Sequence, residues 1–94
     1  NLAINGYLEV TILINKKGQI LKKPIVSYKG LPIEHQDDFL SDLDNEIQNT
    51  TKTFSINNKK QENNLVESLR INCRKIAKEK TGKKPYTNIN LVKI

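Results

Sequence analysis

The sequence predicts an α+β fold, in which a small three-stranded sheet carries two helices on one face in the order β-β-α-α-β. Segments near both ends of the chain alternate apolar and polar residues, as half-buried strands do. Two long segments between them repeat apolar residues at helical spacing. With 94 residues, the chain has room for one hydrophobic core only. Residues 1–94 are therefore predicted to form a single domain.

The first two strands are predicted to form a β-hairpin. The first strand, "YLEVTILI", begins at Tyr7, and "NKKGQ" then provides a turn that contains a glycine. In the second arm, "ILKKPIVSY", Pro24 cannot donate a hydrogen bond to a neighbouring strand, so this arm is predicted to be an edge strand or to bulge there. The two-residue period of the first strand places four residues on a predicted core face: Leu8, Val10, Ile12 and Ile14.

Two amphipathic helices are predicted next, from about residue 34 to 49 and from about residue 61 to 81. The apolar stripe of the first helix consists of Phe39, Leu40, Leu43 and Ile47. The stripe of the second consists of Leu65, Val66, Leu69, Cys73, Ile76 and Ala77. The polar segment between the helices is predicted to be a loop, anchored by Phe54 and Ile56.

The stretch "EKTGKKPY" ends the second predicted helix. Gly82 suits the left-handed conformation that commonly caps helices, lysines favour the negative end of the helix dipole, and Pro85 prevents the helix from continuing. "TNINLVKI" then returns to an alternating pattern, with Ile89 and Leu91 on one side. This last segment is predicted to be the third strand.

Basic residues are the main functional signal. The formal net charge of +6 suggests an anionic partner such as RNA. Tyr86 is the only aromatic residue near the basic cluster, so any RNA binding is expected to involve the phosphate backbone and to be insensitive to sequence. A solvated surface is the alternative interpretation of the same charges. The candidate nucleic-acid-binding residues are Arg70, Arg74, Lys78, Lys80, Lys83 and Lys84.

Residue types that support catalysis are scarce. The chain has one His and one Cys, on different predicted elements, and neither a Gly-rich phosphate loop nor the spacing of a metal-ligand motif. His35 lies beside Asp37 and Asp38, but acidic residues are common at the start of a helix. Cys73 lies on an apolar stripe, which favours a buried thiol over a nucleophile. No catalytic residue, metal site or cofactor is therefore predicted in this chain.

Three segments of the chain together resemble a known family. They are "GYLEVTILINKKGQIL", a second strand that ends in "PIVSYKG", and the final "EKTGKKPYTNINLVKI". With two helices between the second and third segments, this order resembles the C-terminal domain of ribonuclease J, a bacterial RNA-processing enzyme. The final segment is the most specific, since family members tend to end the last helix in Lys-Thr, followed by basic residues, Pro and an apolar strand. Family members often have Ser-Arg-Gly and an aromatic residue after the second strand, where this chain has "SYKGL".

The resemblance implies a role within a larger enzyme. The full-length protein would be a zinc-dependent ribonuclease with a metallo-β-lactamase domain and an inserted β-CASP domain, acting as a 5′-to-3′ exonuclease and as an endonuclease. The zinc-binding motifs of that catalytic core are absent from this chain. This domain would be a non-catalytic oligomerisation or assembly module, whose partners are the catalytic core of the same enzyme and further copies of itself. An independent RNA-binding module is the alternative.

The sequence also bears on location. It contains neither a run of about 18 apolar residues nor the pattern of a signal peptide. A membrane-spanning segment is therefore not expected. The expected location is the cytoplasm.

Overall fold

The computed structural model describes residues 5–94 and confirms the predicted α+β fold. The order β-β-α-α-β is correct, and the helices begin and end within three residues of the predicted positions. The elements are β1 (Tyr7–Ile14), β2 (Ile25–Lys29), α1 (Gln36–Lys52), α2 (Lys59–Thr81) and β3 (Tyr86–Lys93).

The three strands form a mixed sheet in the order β2-β1-β3, with β1 at its centre. β1 pairs with β2 in the antiparallel sense. It pairs with β3 in the parallel sense, from Tyr7 opposite Tyr86 to Ile14 opposite Lys93. The topology therefore places the first and last strands of the chain side by side, with both helices in the connection between β2 and β3.

The second arm of the hairpin is interrupted, so that β2 is shorter than predicted. Ile20 forms an isolated bridge with Ile14, and continuous pairing resumes at Ile25, which lies opposite Thr11. Between these two points the second arm has more residues than β1, and the extra residues bulge around Pro24. The prediction of an edge strand or a bulge at this position is confirmed, because β2 lies at the edge of the sheet and its pairing with β1 is interrupted around Pro24, which has no N–H to donate.

Both helices pack on one face of the sheet, where they bury the predicted core residues of β1 completely. Phe39 of α1 contacts Tyr28 of β2 edge to face, with ring centroids 5.6 Å apart. Ile56 is buried and Phe54 packs against the core, which confirms both as anchors of the loop between the helices. The fully buried helical residues are Phe39, Leu43, Ile47, Leu65, Leu69, Cys73 and Ala77.

The ends of α2 are fixed by local hydrogen bonds. The side chain of Asn58, the N-cap residue, accepts a hydrogen bond of 2.9 Å from the backbone N–H of Gln61. At the other end Gly82 has a φ of +77° and donates its N–H to the carbonyl of Lys78 at 2.7 Å. The prediction that Gly82 caps this helix in the left-handed conformation is confirmed.

The other face of the sheet is open within the part of the chain that the structure describes. One end of it carries Tyr7 and Tyr86, and a row of polar side chains crosses the middle. At the other end lies a group of exposed apolar residues, which we call the apolar patch. The apolar patch consists of Leu21, Ile25, Val92 and Ile94, which are 49, 52, 41 and 66 % exposed, respectively.

Candidate nucleic-acid interface

A groove of about 690 Å³ lies between the second half of α2 and the start of β3. Arg70 and Arg74 project into it from one side of α2, because residues four positions apart share a face of a helix. Lys84 and Tyr86 line the groove from the segment that leads into β3. A smaller hollow of about 300 Å³ shares Arg70, Arg74 and Lys84 and adds Ile71, Lys75 and Lys78. We call the two together the basic groove.

The basic groove gathers four of the predicted residues: Arg70, Arg74, Lys78 and Lys84. It also includes Lys75, which belongs to the same run of basic residues in the sequence but was not among the candidates. The helical period explains the grouping, because positions 70, 74 and 78 follow one another by single turns along one side of α2.

Lys80 and Lys83 lie outside the basic groove. Lys80 forms an ion pair of 2.8 Å with Asp42 of α1, and the hydrogen bond to Asp42 raises the pKa of Lys80. Lys83 donates a hydrogen bond of 3.3 Å to the backbone carbonyl of Gly30, after β2. The position of Lys80 outside the groove could have been predicted from the sequence, because helical spacing places Lys80 roughly 160° around the helix from Lys78.

The cations of the basic groove differ in how they are neutralised. Arg70 donates two hydrogen bonds to the carboxylate of Glu67, of 3.0 and 2.5 Å, and these bonds lower the pKa of Glu67. Within residues 5–94 the ion pairs are Arg70–Glu67, Lys80–Asp42 and Lys93–Glu62. The other groove cations, Arg74, Lys75, Lys78 and Lys84, are therefore without a carboxylate partner in the described chain. Their charges remain available to an anion.

Tyr86, which lines the basic groove, belongs to an aromatic pair. The rings of Tyr7 and Tyr86 are stacked, with centroids 6.0 Å apart and planes 9° from parallel. Tyr86 is 60 % exposed and lines the groove, while the hydroxyl of Tyr7 donates a hydrogen bond of 2.7 Å to Glu9. That bond lowers the pKa of Glu9. The sequence showed Tyr86 as an isolated ring, because only the parallel pairing of β1 and β3 brings Tyr7 beside it.

His35 is exposed at the start of α1, beside a cavity of about 320 Å³ that Glu34 and Asp38 also line. In the described part of the chain, residues 5–94, no three side chains among His, Cys, Asp and Glu come together in a group that could hold a metal ion. The zinc that the resemblance implies for the full-length enzyme therefore has no fitting ligand set among these residues.

Cys73 is fully buried on α2, as its position on the apolar stripe predicted. Burial raises the pKa of its thiol to about 12, and the nearby charge of Glu46 adds to the effect. At pH 8 a thiol with this pKa has about a thousandfold less thiolate than an ordinary cysteine thiol of pKa 9.0. The thiolate is the reactive form of cysteine, so the geometry makes Cys73 unreactive in the folded domain.

We expect Cys73 to resist alkylation by iodoacetamide at pH 8 and to react readily once urea unfolds the chain. The extent of labelling over time, measured by mass spectrometry, checks this. A free cysteine peptide is the control for reagent activity. Rapid labelling of the folded chain in the absence of denaturant would show that the thiol is accessible and contradict its buried position.

These features define a small α+β domain with a mixed three-stranded sheet, one sheet face covered by two helices and a basic groove beside the third strand. The family model described as the ribonuclease J C-terminal domain matches residues 1–93 of this chain. The chain therefore belongs to the ribonuclease J C-terminal domain family, and the resemblance found in the sequence is confirmed. A search of curated proteins finds no match to the sequence. None of the helices in residues 5–94 is long and apolar enough to cross a membrane.

Proposed function

We propose that this domain is a non-catalytic assembly module of a ribonuclease J-like enzyme, and that it joins copies of that enzyme through the open face of its sheet. The observation that carries the proposal is the apolar patch. Its four members are large aliphatic residues from two segments of the hairpin arm and from the end of the chain's last strand, and each is at least 41 % exposed. Exposed aliphatic side chains that form one contiguous surface are typical of protein interfaces.

The covered and open faces of the sheet differ in a way that supports an interface. A sheet with helices on one face often turns a polar face to water on the other. Here the open face is polar only in its middle, where Asn88 donates a hydrogen bond of 3.2 Å to Glu9 and Asn90 donates one of 3.3 Å to Thr11. The apolar end has no such row of hydrogen-bonded polar side chains. Its removal from water by a partner lowers the free energy.

A second copy of the same domain is the partner that we favour. Side chains of the three strands that point to the open face include one carboxylate, Glu9, and one cation, Lys29. The chain as a whole carries a formal charge of +6, so most of its surface would repel another copy. The open face is close to neutral and can meet itself across a two-fold axis without that repulsion.

The role proposed for the parent enzyme follows from family membership. In this proposal the parent is a zinc-dependent ribonuclease of the cytoplasm with 5′-to-3′ exonuclease and endonuclease activity. Its metallo-β-lactamase domain would hold the zinc, and its catalytic core would be the second partner of this domain. Assembly would then bring several catalytic cores together.

The proposal can be tested with a pair of matched variants. Ile25 lies in the apolar patch and Ile71 lies on α2, away from the open sheet face, and both are 52 % exposed. We expect Ile25→Glu to shift the chain from oligomer towards monomer, because a carboxylate would be buried at the contact. We expect Ile71→Glu to leave the oligomer unchanged. Sedimentation equilibrium at several protein concentrations measures both, and circular dichroism checks that each variant is folded.

Two results together would contradict the proposal. The chain on its own would remain monomeric at high concentration, and deletion of this domain from the parent enzyme would leave the oligomeric state of that enzyme unchanged. The same conclusion would follow if the two folded variants changed association equally, because the effect would then reflect added charge and not the open sheet face. Association through an apolar contact should also persist at moderate salt.

A further inference from the structure

We propose that the basic groove binds single-stranded RNA, with phosphates on its cations and a base stacked on Tyr86. Tyr86 belongs to the open face of the sheet, but the basic groove lies beside α2 and shares no residue with the apolar patch, so this inference does not depend on the assembly proposal. The groove lies at the end of the sheet where Tyr7 pairs with Tyr86, whereas the apolar patch lies near the end where Ile14 pairs with Lys93. These ends are separated by roughly 23 Å along β1, at about 3.3 Å for each residue step.

The first argument is the uncompensated charge of the groove. Arg74, Lys78 and Lys84 line neighbouring walls and have no ion pair within residues 5–94. Glu67, which precedes Arg70 by one turn of α2, already accepts two hydrogen bonds from Arg70. A row of cations that protein carboxylates leave unpaired is suited to the regular negative charges of a phosphate backbone.

The second argument is the aromatic wall. Tyr86 is supported from behind by Tyr7, whose ring is parallel to it, and Tyr7 is itself held by its hydrogen bond to Glu9. The ring of Tyr86 is therefore fixed in orientation and still 60 % exposed. A fixed, exposed ring beside cations is the combination that proteins use to stack an unpaired base while they hold the adjoining phosphates.

These two features together favour a single strand over other anionic partners. A duplex keeps its bases stacked on one another and has none to offer to Tyr86. A membrane surface or an acidic protein can also contact the cations, but neither offers an unpaired base to stack on Tyr86. The choice of RNA over DNA follows from membership in a ribonuclease family.

The groove also changes an expectation drawn from the sequence. The sequence suggested a contact through phosphates alone, because it showed a single ring near the basic residues. With Tyr7 stacked behind Tyr86, the structure supports a contact that includes one base. Stacking tolerates any base, so the expected binding remains insensitive to sequence.

The test measures the binding of the chain to a fluorescently labelled oligouridine by anisotropy, at several salt concentrations. We expect the double variant Arg74→Ala with Lys84→Ala to weaken binding on the order of tenfold at 0.1 M salt. The slope of log Kd against log salt should fall by roughly 1.4, because each lost phosphate contact on a single strand removes roughly 0.7. The matched control is Lys16→Ala with Lys17→Ala, which removes the same charge from exposed positions in the β1–β2 turn. That control should bind nearly as well as the unaltered chain.

The aromatic part of the proposal has its own readout. We expect Tyr86→Ala to weaken oligouridine binding by about 5- to 100-fold with little change in the salt slope, because it removes stacking and no charge. Tyr86→Phe keeps the ring and should retain the affinity. A duplex RNA of the same length should bind more weakly than the single strand.

Three results would overturn the proposal. In the first, the groove double variant and the turn double variant reduce the affinity for oligouridine equally. In the second, the chain binds a duplex as tightly as the single strand. In the third, polyglutamate at equal charge concentration displaces the oligouridine. The last would identify the groove as a docking surface for acidic protein. None of these results bears on the oligomeric state, so failure here is distinguishable from failure of the assembly proposal.

Discussion

Replacing Phe39 by Ala is expected to lower the free energy of unfolding by about 3 to 5 kcal/mol. Phe39 is the largest fully buried side chain of the domain, and its ring contacts Tyr28 edge to face at 5.6 Å. It joins α1 to β2, so its loss leaves a cavity where helix and sheet meet. Because a small domain is stable by only about 5 to 15 kcal/mol, much of the folding free energy would be lost.

Urea denaturation followed by circular dichroism measures this change. Phe54→Ala is the matched control, because it deletes the same atoms from a ring that is only partly buried in the loop between the helices. We expect the control to cost about 1 to 2 kcal/mol. Equal costs at the two positions would show that Phe39 is not the main contact between α1 and the sheet.

Replacing Gly6 by Ala is expected to cost about 3 kcal/mol, from two sources. The φ of Gly6 is +84°, a conformation that residues with a side chain rarely adopt. A methyl group there would also lie 2.8 Å from the carbonyl oxygen of Lys29 and 2.9 Å from that of Gly30. These oxygens belong to the backbone at the end of β2, where it lies beside the start of β1. They cannot move aside without disturbing the sheet.

Gly82→Ala separates the two sources. Gly82 has a similar φ of +77°, but a methyl group built on it would meet no atom within 4 Å. We expect this variant to cost only about 1 kcal/mol, from backbone strain alone. Thermal unfolding of both variants, compared with the unaltered chain, gives the difference. If Gly6→Ala were no more destabilising than Gly82→Ala, the close approach of the backbones at Gly6 would be of no energetic consequence.

Most of the fold could be predicted because local patterns specify it. The two-residue period of "YLEVTILI" identified the core face of β1, and the spacing of Leu65, Leu69 and Cys73 identified the buried side of α2. The strand order could not be predicted, since the pairing of β1 with β3 depends on contacts between distant parts of the chain. Continuous pairing of β2 with β1 starts only at Ile25, because the chain bulges around Pro24. The alternation of apolar and polar residues does not reveal this late start.

The candidate site was predictable to a similar extent. The run of basic residues was visible in the sequence, and helical geometry suffices to group Arg70, Arg74 and Lys78. The ion pair that takes Lys80 to Asp42 depends on how α1 packs against α2, which no local pattern specifies. The stacking of Tyr7 on Tyr86 depends on the parallel register and was equally invisible.

The pairing of the first strand with the last has a consequence for how the domain is made. Glu9 and Asn88 are hydrogen-bonded although 79 positions separate them in the chain. A nascent chain can therefore form its hairpin and helices early, but β1 keeps one bare, β-prone edge until β3 has been synthesised. Such edges are where partly made chains pair with one another and aggregate. Ribosomes that stall before Tyr86 would release a chain with this edge uncovered, and such a chain is the form that chaperones and proteases are expected to recognise.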